Sequence, residues 1–309
     1  MIYVLSLTPC EDRTCRCGHF DPDRTNRVIP VRRDIGGKGV NCAGTLLALG
    51  EKVTLAGADF EGRITEAFRE KLPLLLMETG LPLRCNLKIF DLSRNKTVEV
   101  NEPAPPLGKE FLLAVRERLC ETLCPGDTLV LCGSLPMEAD PGTYSDFCSS
   151  ARAKGALVAA DCSGDALLRV ADQAPDLIKP NREEFFTLIK TLYGCEPGSD
   201  RKSLSDAGKR LCREKGIGRI LLSLGKDGAM LITGEDSLFC AAPPVCVRGD
   251  IGAGDAMTAA AVLCLSRGDS GHTLLRMASA AAGAVLEKEG TQPPDREEIE
   301  KILARMPKE

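Results

Sequence analysis

Short β-rich runs alternate with helix-patterned segments along most of this chain, and no other property narrows its fold so far. IYVLSL (2–7) precedes a helical pattern over Val40–Leu49, and KVTLAG (52–57) precedes one over ITEAFREKL (64–72). After residue 106 the alternation resumes through FLLAVRERLCETL, TLVLCGS, YSDFCSSARAKG, ALVAAD, EEFFTLIKTLYG, AGKRLCREKG and RILLSLG. AMLITG and SLFCAA follow, then three more helical patterns ending in DREEIEKILARM. Apolar runs bounded by turn residues mark buried strands, and apolar residues three and four apart mark helices. Parallel strands need crossover connections, so the rhythm predicts an α/β fold with a mostly parallel central sheet between helices.

Two segments break the rhythm, 10–35 and 84–106. Within the second, LKIFDL followed by KTVEVNEP reads as paired strands outside the main sheet. The expectation is one domain spanning 1–309, with a small accessory sheet built from both insertions. A net charge of −4 and basic residues scattered singly or in pairs give no electrostatic footprint for nucleic acid. No apolar run approaches the ~18 residues of a membrane span, and MIYVLSLTPC lacks a basic leader. The expected location is cytoplasmic and the expected partners are small molecules.

Fifteen cysteines are unusual, but the number is odd and most lie within apolar runs, as buried reduced thiols do. CEDRTCRCGH (10–19) gathers three of them with one of the two histidines and raises the question of zinc. No CxxC pair occurs anywhere, which removes the usual zinc-ribbon spacing.

The strongest chemical signal is GDIGAGDAMTAAAVLCL (249–265). Gly252, Ala253 and Gly254 precede a long helical pattern, so their N–H groups collect at a helix N-terminus, where an anion is stabilised. Asp255 faces that anion, which suits a general base accepting a proton from an attacking hydroxyl; the alternative is a helix-capping aspartate. A second loop, DIGGKGVNCAGTLLALG (34–50), runs Gly36, Gly37 and Gly39 into a helix and adds the point charge of Lys38, although a turn with a solvated lysine has the same pattern. Neither loop satisfies GxxxxGK[ST] or GxGxxG, which argues against a Walker ATPase and a dinucleotide dehydrogenase. LIKPNREEF (177–185) places Asn181 and Glu184 at a helix start, where they either order magnesium through water or simply begin the helix. LSLGKDGAML (222–231) is a strand, turn and strand in which Ser223, Gly225 and Gly228 either line a nucleotide cleft or make a hairpin.

The ordered set GGKGVN, GSLP, KPNREE, LGKDGA and GAGD resembles the PfkB-type carbohydrate kinases of the ribokinase-like fold, and covers nearly the whole chain. Within them it is similar to the hexose-phosphate branch of 1-phosphofructokinases and tagatose-6-phosphate kinases. The resemblance implies a three-layer α/β/α core with a β-sheet lid, and ATP- and Mg²⁺-dependent phosphorylation of a sugar phosphate's hydroxyl. It makes Asp255 the catalytic base and Gly252, Ala253 and Gly254 the anion hole. Asn181 and Glu184 organise magnesium; Ser223, Gly225 and Gly228 border the nucleotide, with Lys179 nearby. Gly37, Lys38 and Asn41 contact the sugar.

The same resemblance turns the opening of the chain into a sugar-gripping strand. IYVLSLTPCED matches a TLNPAxD pattern whose aspartate is Asp12, with Thr8 in the usual asparagine place and Cys10 in the usual alanine place. Cys15, Cys17 and His19 then fall on the first lid strand, where alternate residues lie about 7 Å apart, too far to share a zinc at Zn–S distances of ~2.3 Å. RCNLKI (84–89) resembles an RxNxKI strand that puts Arg84, Asn86 and Lys88 on one face, with Arg84 and Lys88 toward the sugar's phosphate. VEVNEPAPPL matches an NEPGP turn with Ala104 for glycine, and Ser134 of GSLP is a further substrate contact. DCSGDALL (161–168) resembles a DTSGEAL stretch, but no role follows for it. Before GAGD stand Gly249, Asp250 and Ile251, and an aspartate in place of the usual serine or threonine leaves dependence on a monovalent cation open. The implied substrate is fructose 1-phosphate or tagatose 6-phosphate, and the implied assembly is a homodimer through the lid. An inactive sugar-phosphate-binding regulator is disfavoured because binding alone needs no base, and a cysteine-based sensing protein built on 10–19 ranks below the kinase reading as well.

Overall fold

The computed structural model describes residues 1–249, 252–288 and 292–307. Its strands in chain order are β1 (Ile2–Ser6), β2 (Cys10–Cys17), β3 (Ile29–Gly36), β4 (Val53–Asp59), β5 (Leu74–Glu78), β6 (Cys85–Asp91) and β7 (Lys96–Asn101). They continue with β8 (Thr128–Cys132), β9 (Leu157–Asp161), β10 (Leu177–Ile178), β11 (Ile220–Ser223), β12 (Ala229–Ile232) and β13 (Ser237–Cys240). The main sheet runs β13-β12-β11-β10-β9-β8-β1-β4-β5. Pairing from β5 to β11 is parallel, and only β12 and β13 join antiparallel.

Both faces of this sheet are covered, which is why its strands read as unbroken apolar runs. In the register of β1 with β8, Val4 pairs with Val130 and Leu5 with Leu131. The first pair packs under the helices Lys38–Ala48, Ala253–Arg267, Gly271–Leu286 and Arg296–Arg305. The second packs under Lys109–Thr122, Thr143–Ala153, Gly164–Ala171, Arg182–Tyr193 and Arg201–Lys215. Leu5, Leu46, Leu55 and Leu131 are fully buried, and each contributes about 1.5–3 kcal/mol by leaving water. The three-layer α/β/α core follows from the alternation.

Two features of this core place the site. Chain order reverses at β1, with β4 on one side and β8 on the other, and ligands of open α/β sheets bind beyond the carboxyl ends of strands at such a point. The helix Ala253–Arg267 is buried all round, and Ala259, Ala260 and Ala261 lack the bulk to hold off its neighbours. The helix Lys38–Ala48 therefore packs closely beside it, and both begin at the same end of the sheet.

The two segments that break the alternation form the small sheet, in the order β3-β2-β6-β7. β2 pairs antiparallel with β3 but parallel with β6, and β6 and β7 make the antiparallel pair expected from LKIFDL and KTVEVNEP. β5 was not legible in the sequence: it is a half-buried edge strand, so LLLME lacks both the alternation of a surface strand and the flanking signals of a central one. The helix over ITEAFREKL ends early, at Phe68. No helix of the described residues is long and apolar enough to cross a membrane.

Candidate active site

A cavity of about 450 Å³ opens beyond β1 and β8, between the core and the small sheet. Asp12, Gly37, Lys38, Asn41, Arg84, Lys88, Ser134 and Asp255 all line it. Residues expected to touch a sugar thus come together with the expected base from five separate stretches of sequence.

The core side is built on helix starts. Gly252 caps the helix Ala253–Arg267 with a left-handed φ of 84°, which a side chain would strain, and Ala253 and Gly254 open its first turn. Asp255 is therefore not the capping residue. It lies in the first turn, 8 % exposed, and Asn41 Nδ2 donates to its Oδ2 at 2.7 Å. Burial, and then the negative charge of Asp161, push the Asp255 carboxyl up to about 6 against the pull of Asn41, Lys38 and Lys179.

Asp161, at the end of β9, is the hub that sequence reading passed over. Lys38 Nζ meets its Oδ1 at 2.8 Å, Lys179 Nζ its Oδ2 at 3.3 Å, and the Thr258 hydroxyl donates to Oδ2 at 2.6 Å. Burial alone would raise its pKa, but Lys179, Lys38 and the Thr258 bond hold it below the ordinary aspartate value. Burial likewise opposes the charge on Lys38, and Asp161 more than restores it. Two neighbouring carboxylates are thus driven apart, one a fixed anion and the other poised to exchange a proton near neutrality.

The small-sheet side is a second network. Asp12 is 3 % exposed; Lys88 Nζ lies 3.2 Å from its Oδ2, while Asn86 Nδ2 donates to its Oδ1 at 3.2 Å. Arg84 forks onto backbone carbonyls, with Nη2 donating to Thr8 O at 2.9 Å and Nη1 to Glu102 O at 3.2 Å. This clamps the root of β6 to the turn after β1. Ser134 stands across the cavity, where Thr8 Oγ1 donates to its carbonyl at 3.0 Å.

Comparison with known proteins identifies the family and the fold. The profile of the pfkB family carbohydrate kinase matches residues 93–298, more than half of the chain. The 1-phosphofructokinase of Rhodobacter capsulatus is 33% identical over 96% of this chain and 94% of its own length. This chain belongs to the pfkB family of carbohydrate kinases. The 1-phosphofructokinase of Xanthomonas campestris is 31% identical over 83% of the chain and 81% of its own. The potassium complex of phosphofructokinase-2 from Escherichia coli superposes with a TM-score of 0.89 at 26% identity, covering 98% of both chains. Ribokinase from Thermotoga maritima shares the fold, with a TM-score of 0.79 at 22% identity over 98% of this chain and 99% of its own. The protein is an ATP-dependent sugar kinase.

In this kinase Lys179, Asn181, Glu184, Ser223, Gly225 and Gly228 do not line that cavity, and Lys179 connects to it through Asp161. Lys179 reaches toward the glycine turn at 252–254, and a Cβ on Gly254 would sit 3.6 Å from its Nζ. Asn181 and Glu184 make a reciprocal capping box: Glu184 N donates to Asn181 Oδ1 and Asn181 N to Glu184 Oε2, each at 2.9 Å. Asn181 also bridges to Ser223 at the end of β11. Gly225 opens the turn Gly225–Asp227, and Gly228 follows with φ 108°, where a Cβ would lie 2.1 Å from Cys240 O. Backbone packing alone therefore demands glycine at 228. Asp250 and Ile251, on which the monovalent-cation question turned, lie outside the described residues.

The cysteine cluster of the kinase is part of the small sheet. Cys15 and Cys17 are buried on β2, while His19 lies beyond the strand, with Nδ1 2.9 Å from Ser93 Oγ. Among the described residues no group of three or more His, Cys, Asp and Glu is arranged to hold a metal. The signal for Asp161 was present: an aspartate closing an apolar strand, ALVAAD, at its carboxyl end, where this fold class binds ligands.

Proposed function

We propose that this kinase transfers the γ-phosphoryl group of ATP to the primary hydroxyl of a ketohexose monophosphate, and that fructose 1-phosphate, giving fructose 1,6-bisphosphate, is its substrate. The observation that carries this reading is the shared cavity of Asp255 with Asp12, Asn41, Lys88 and Arg84. Relatives named 1-phosphofructokinase at about 30% identity favour the fructose phosphate over tagatose 6-phosphate.

Asp255 accepts the proton of the attacking hydroxyl, and Asn41 keeps its carboxylate aimed into the cavity. The N–H groups of residues 252–254 stabilise charge on the transferred phosphoryl group at the helix N-terminus. Lys38 and Lys179, fixed by Asp161, flank the same place. Asp12 accepts from sugar hydroxyls, while Lys88 and Arg84 supply positive charge to the sugar's phosphate. Ser223, Gly225 and Gly228 border the nucleotide. The donor set suits magnesium held through water and nucleotide phosphates, since the capping pair Asn181 and Glu184 offers few direct ligands. The ion, when bound, neutralises charge on the nucleotide phosphates. Closure of the small sheet as a lid over the sugar excludes competing water. Exposed Ile29, Val31 and Val100 on that sheet, and Leu92 in the turn between β6 and β7, favour pairing with a second copy of the chain.

The test is ADP release with Mg²⁺ and ATP against fructose 1-phosphate, tagatose 6-phosphate, fructose 6-phosphate, ribose and a nucleoside. Fructose 1-phosphate is expected to give the highest kcat/KM, and Asp255→Asn to lose at least about 10²-fold in kcat, the scale of a lost general base. Higher kcat/KM for another acceptor, or an active Asp255→Asn variant, overturns the substrate or the base respectively.

A further inference from the structure

Five of the six charged side chains lining the cavity already have partners inside the protein. Lys38 is held by Asp161, Lys88 and Asp12 by each other, Arg84 by backbone carbonyls and Asp255 by Asn41. Glu99 is the sixth. Among the described residues nothing bonds to its carboxylate, and it is exposed on β7, so the fold itself makes no demand for an acid there. In the antiparallel register of β6 with β7, Glu99 stands directly opposite Lys88, so the two side chains share the face turned to the cavity. Lys88 is 6 % exposed and already paired with Asp12, which leaves Glu99 with unspent acceptor capacity.

An ionised carboxylate only accepts hydrogen bonds, and a phosphate dianion also only accepts, so the two repel. The part of an occupant that Glu99 faces must instead carry donors, and the donors of a sugar phosphate are its hydroxyls. We infer that Glu99 is a second hydroxyl-binding carboxylate beside Asp12 and determines which hydroxyl configuration the cavity accepts. This rests on the sugar-phosphate kinase reading above. It adds a residue that touches substrate, from a strand whose sequence offered only an NEPAP turn. A site built to bond a hydroxyl discriminates strongly against an analogue that presents it elsewhere, because the protein group is then left unpaired.

The experiment is steady-state kinetics of Glu99→Ala and Glu99→Gln with the best ketohexose phosphate of the parent and with its epimer at carbon 4. For Glu99→Ala the KM for the sugar phosphate should rise by about tenfold or more, the loss of a charge-assisted hydrogen bond, with the KM for ATP unchanged. Glu99→Gln should fall between, and the preference for one epimer should narrow in both. A KM within twofold of the parent overturns the assignment; so does a lower KM, which would mean that Glu99 opposes the phosphate. A drop in thermal midpoint with an unchanged epimer preference overturns it too, by making the role structural. If the parent turns over no sugar phosphate, the kinase reading beneath falls as well, so the two failures are told apart.

Discussion

The two walls of the cavity solve different problems. On the core wall, Lys38, Lys179 and Thr258 close around the buried Asp161 into one charge network with Asp255 at its edge. On the small-sheet wall, Asp12, Asn86 and Lys88 form a separate set on neighbouring strands β2 and β6. The walls meet through the Arg84 fork onto Thr8, both at the cavity, and through the Arg63–Glu11 pair at 2.9 Å outside it. On the proposed function, chemistry sits on the ends of the parallel strands, and recognition sits on an inserted sheet. Changes to the core wall should fall on kcat and stability, whereas changes to the sheet wall should fall on KM.

The harshest way to break that division is Asp161→Asn. Removing one partner from a buried ion pair leaves an uncompensated charge, and here the Lys179 side chain is only 6 % exposed. The expected cost is about 3 kcal/mol of stability, read by urea unfolding, together with a fall in kcat of tenfold or more and little change in sugar KM. A variant with parental stability and kcat would show that the network is incidental to the base it surrounds.

A smaller effect sharpens the role of Asp255 itself. Its carboxyl, raised to about 6 by burial and by Asp161, must be ionised to accept a proton. Activity therefore falls as pH drops through about 6 and levels off above it. Asn41 donates to the ionised form and opposes the rise, so Asn41→Ala should move the acid limb of the kcat/KM profile to higher pH. An acid limb that stays in place in Asn41→Ala would remove Asn41 from the account of that pKa.

How far the sequence revealed these walls depends on what each residue's neighbours are. The parallel sheet was legible because strands covered on both faces write continuous apolar runs such as TLVLC, and the small sheet because its insertions interrupt that pattern. GAGD and GGKG were legible because glycine turns leading into helices have a local signature. Asp161 was not, since its role exists only once Lys38, Lys179 and Thr258 arrive from distant segments. Glu99 was hidden for the opposite reason: an acid on an exposed strand looks like any solvated residue until the register sets it opposite Lys88. Gly228 shows the reverse case, where a residue suggestive of nucleotide binding also has a backbone contact that explains it.

The finest test of the division is Cys10, which is fully buried beside the Asp12 carboxylate. Burial and the charge of Asp12 push its thiol up to about 12, so it stays protonated and donates, with Sγ 3.6 Å from Asp12 Oδ1. Asn86 Nδ2 donates to both that sulfur and that oxygen, each at 3.2 Å, so thiol and amide together fix one oxygen of Asp12 while Lys88 holds the other. Cys10→Ala removes a weak donor without touching the cavity surface. The sugar KM should rise by about two- to fivefold, the scale of one net hydrogen bond, with kcat unchanged. Cys10→Ser restores a donor in the same place and should recover most of the loss. If Cys10→Ala instead lowers kcat with the sugar KM unchanged, the small sheet takes part in the chemical step, and the separation of recognition from catalysis fails at the residue where the structure draws it most finely.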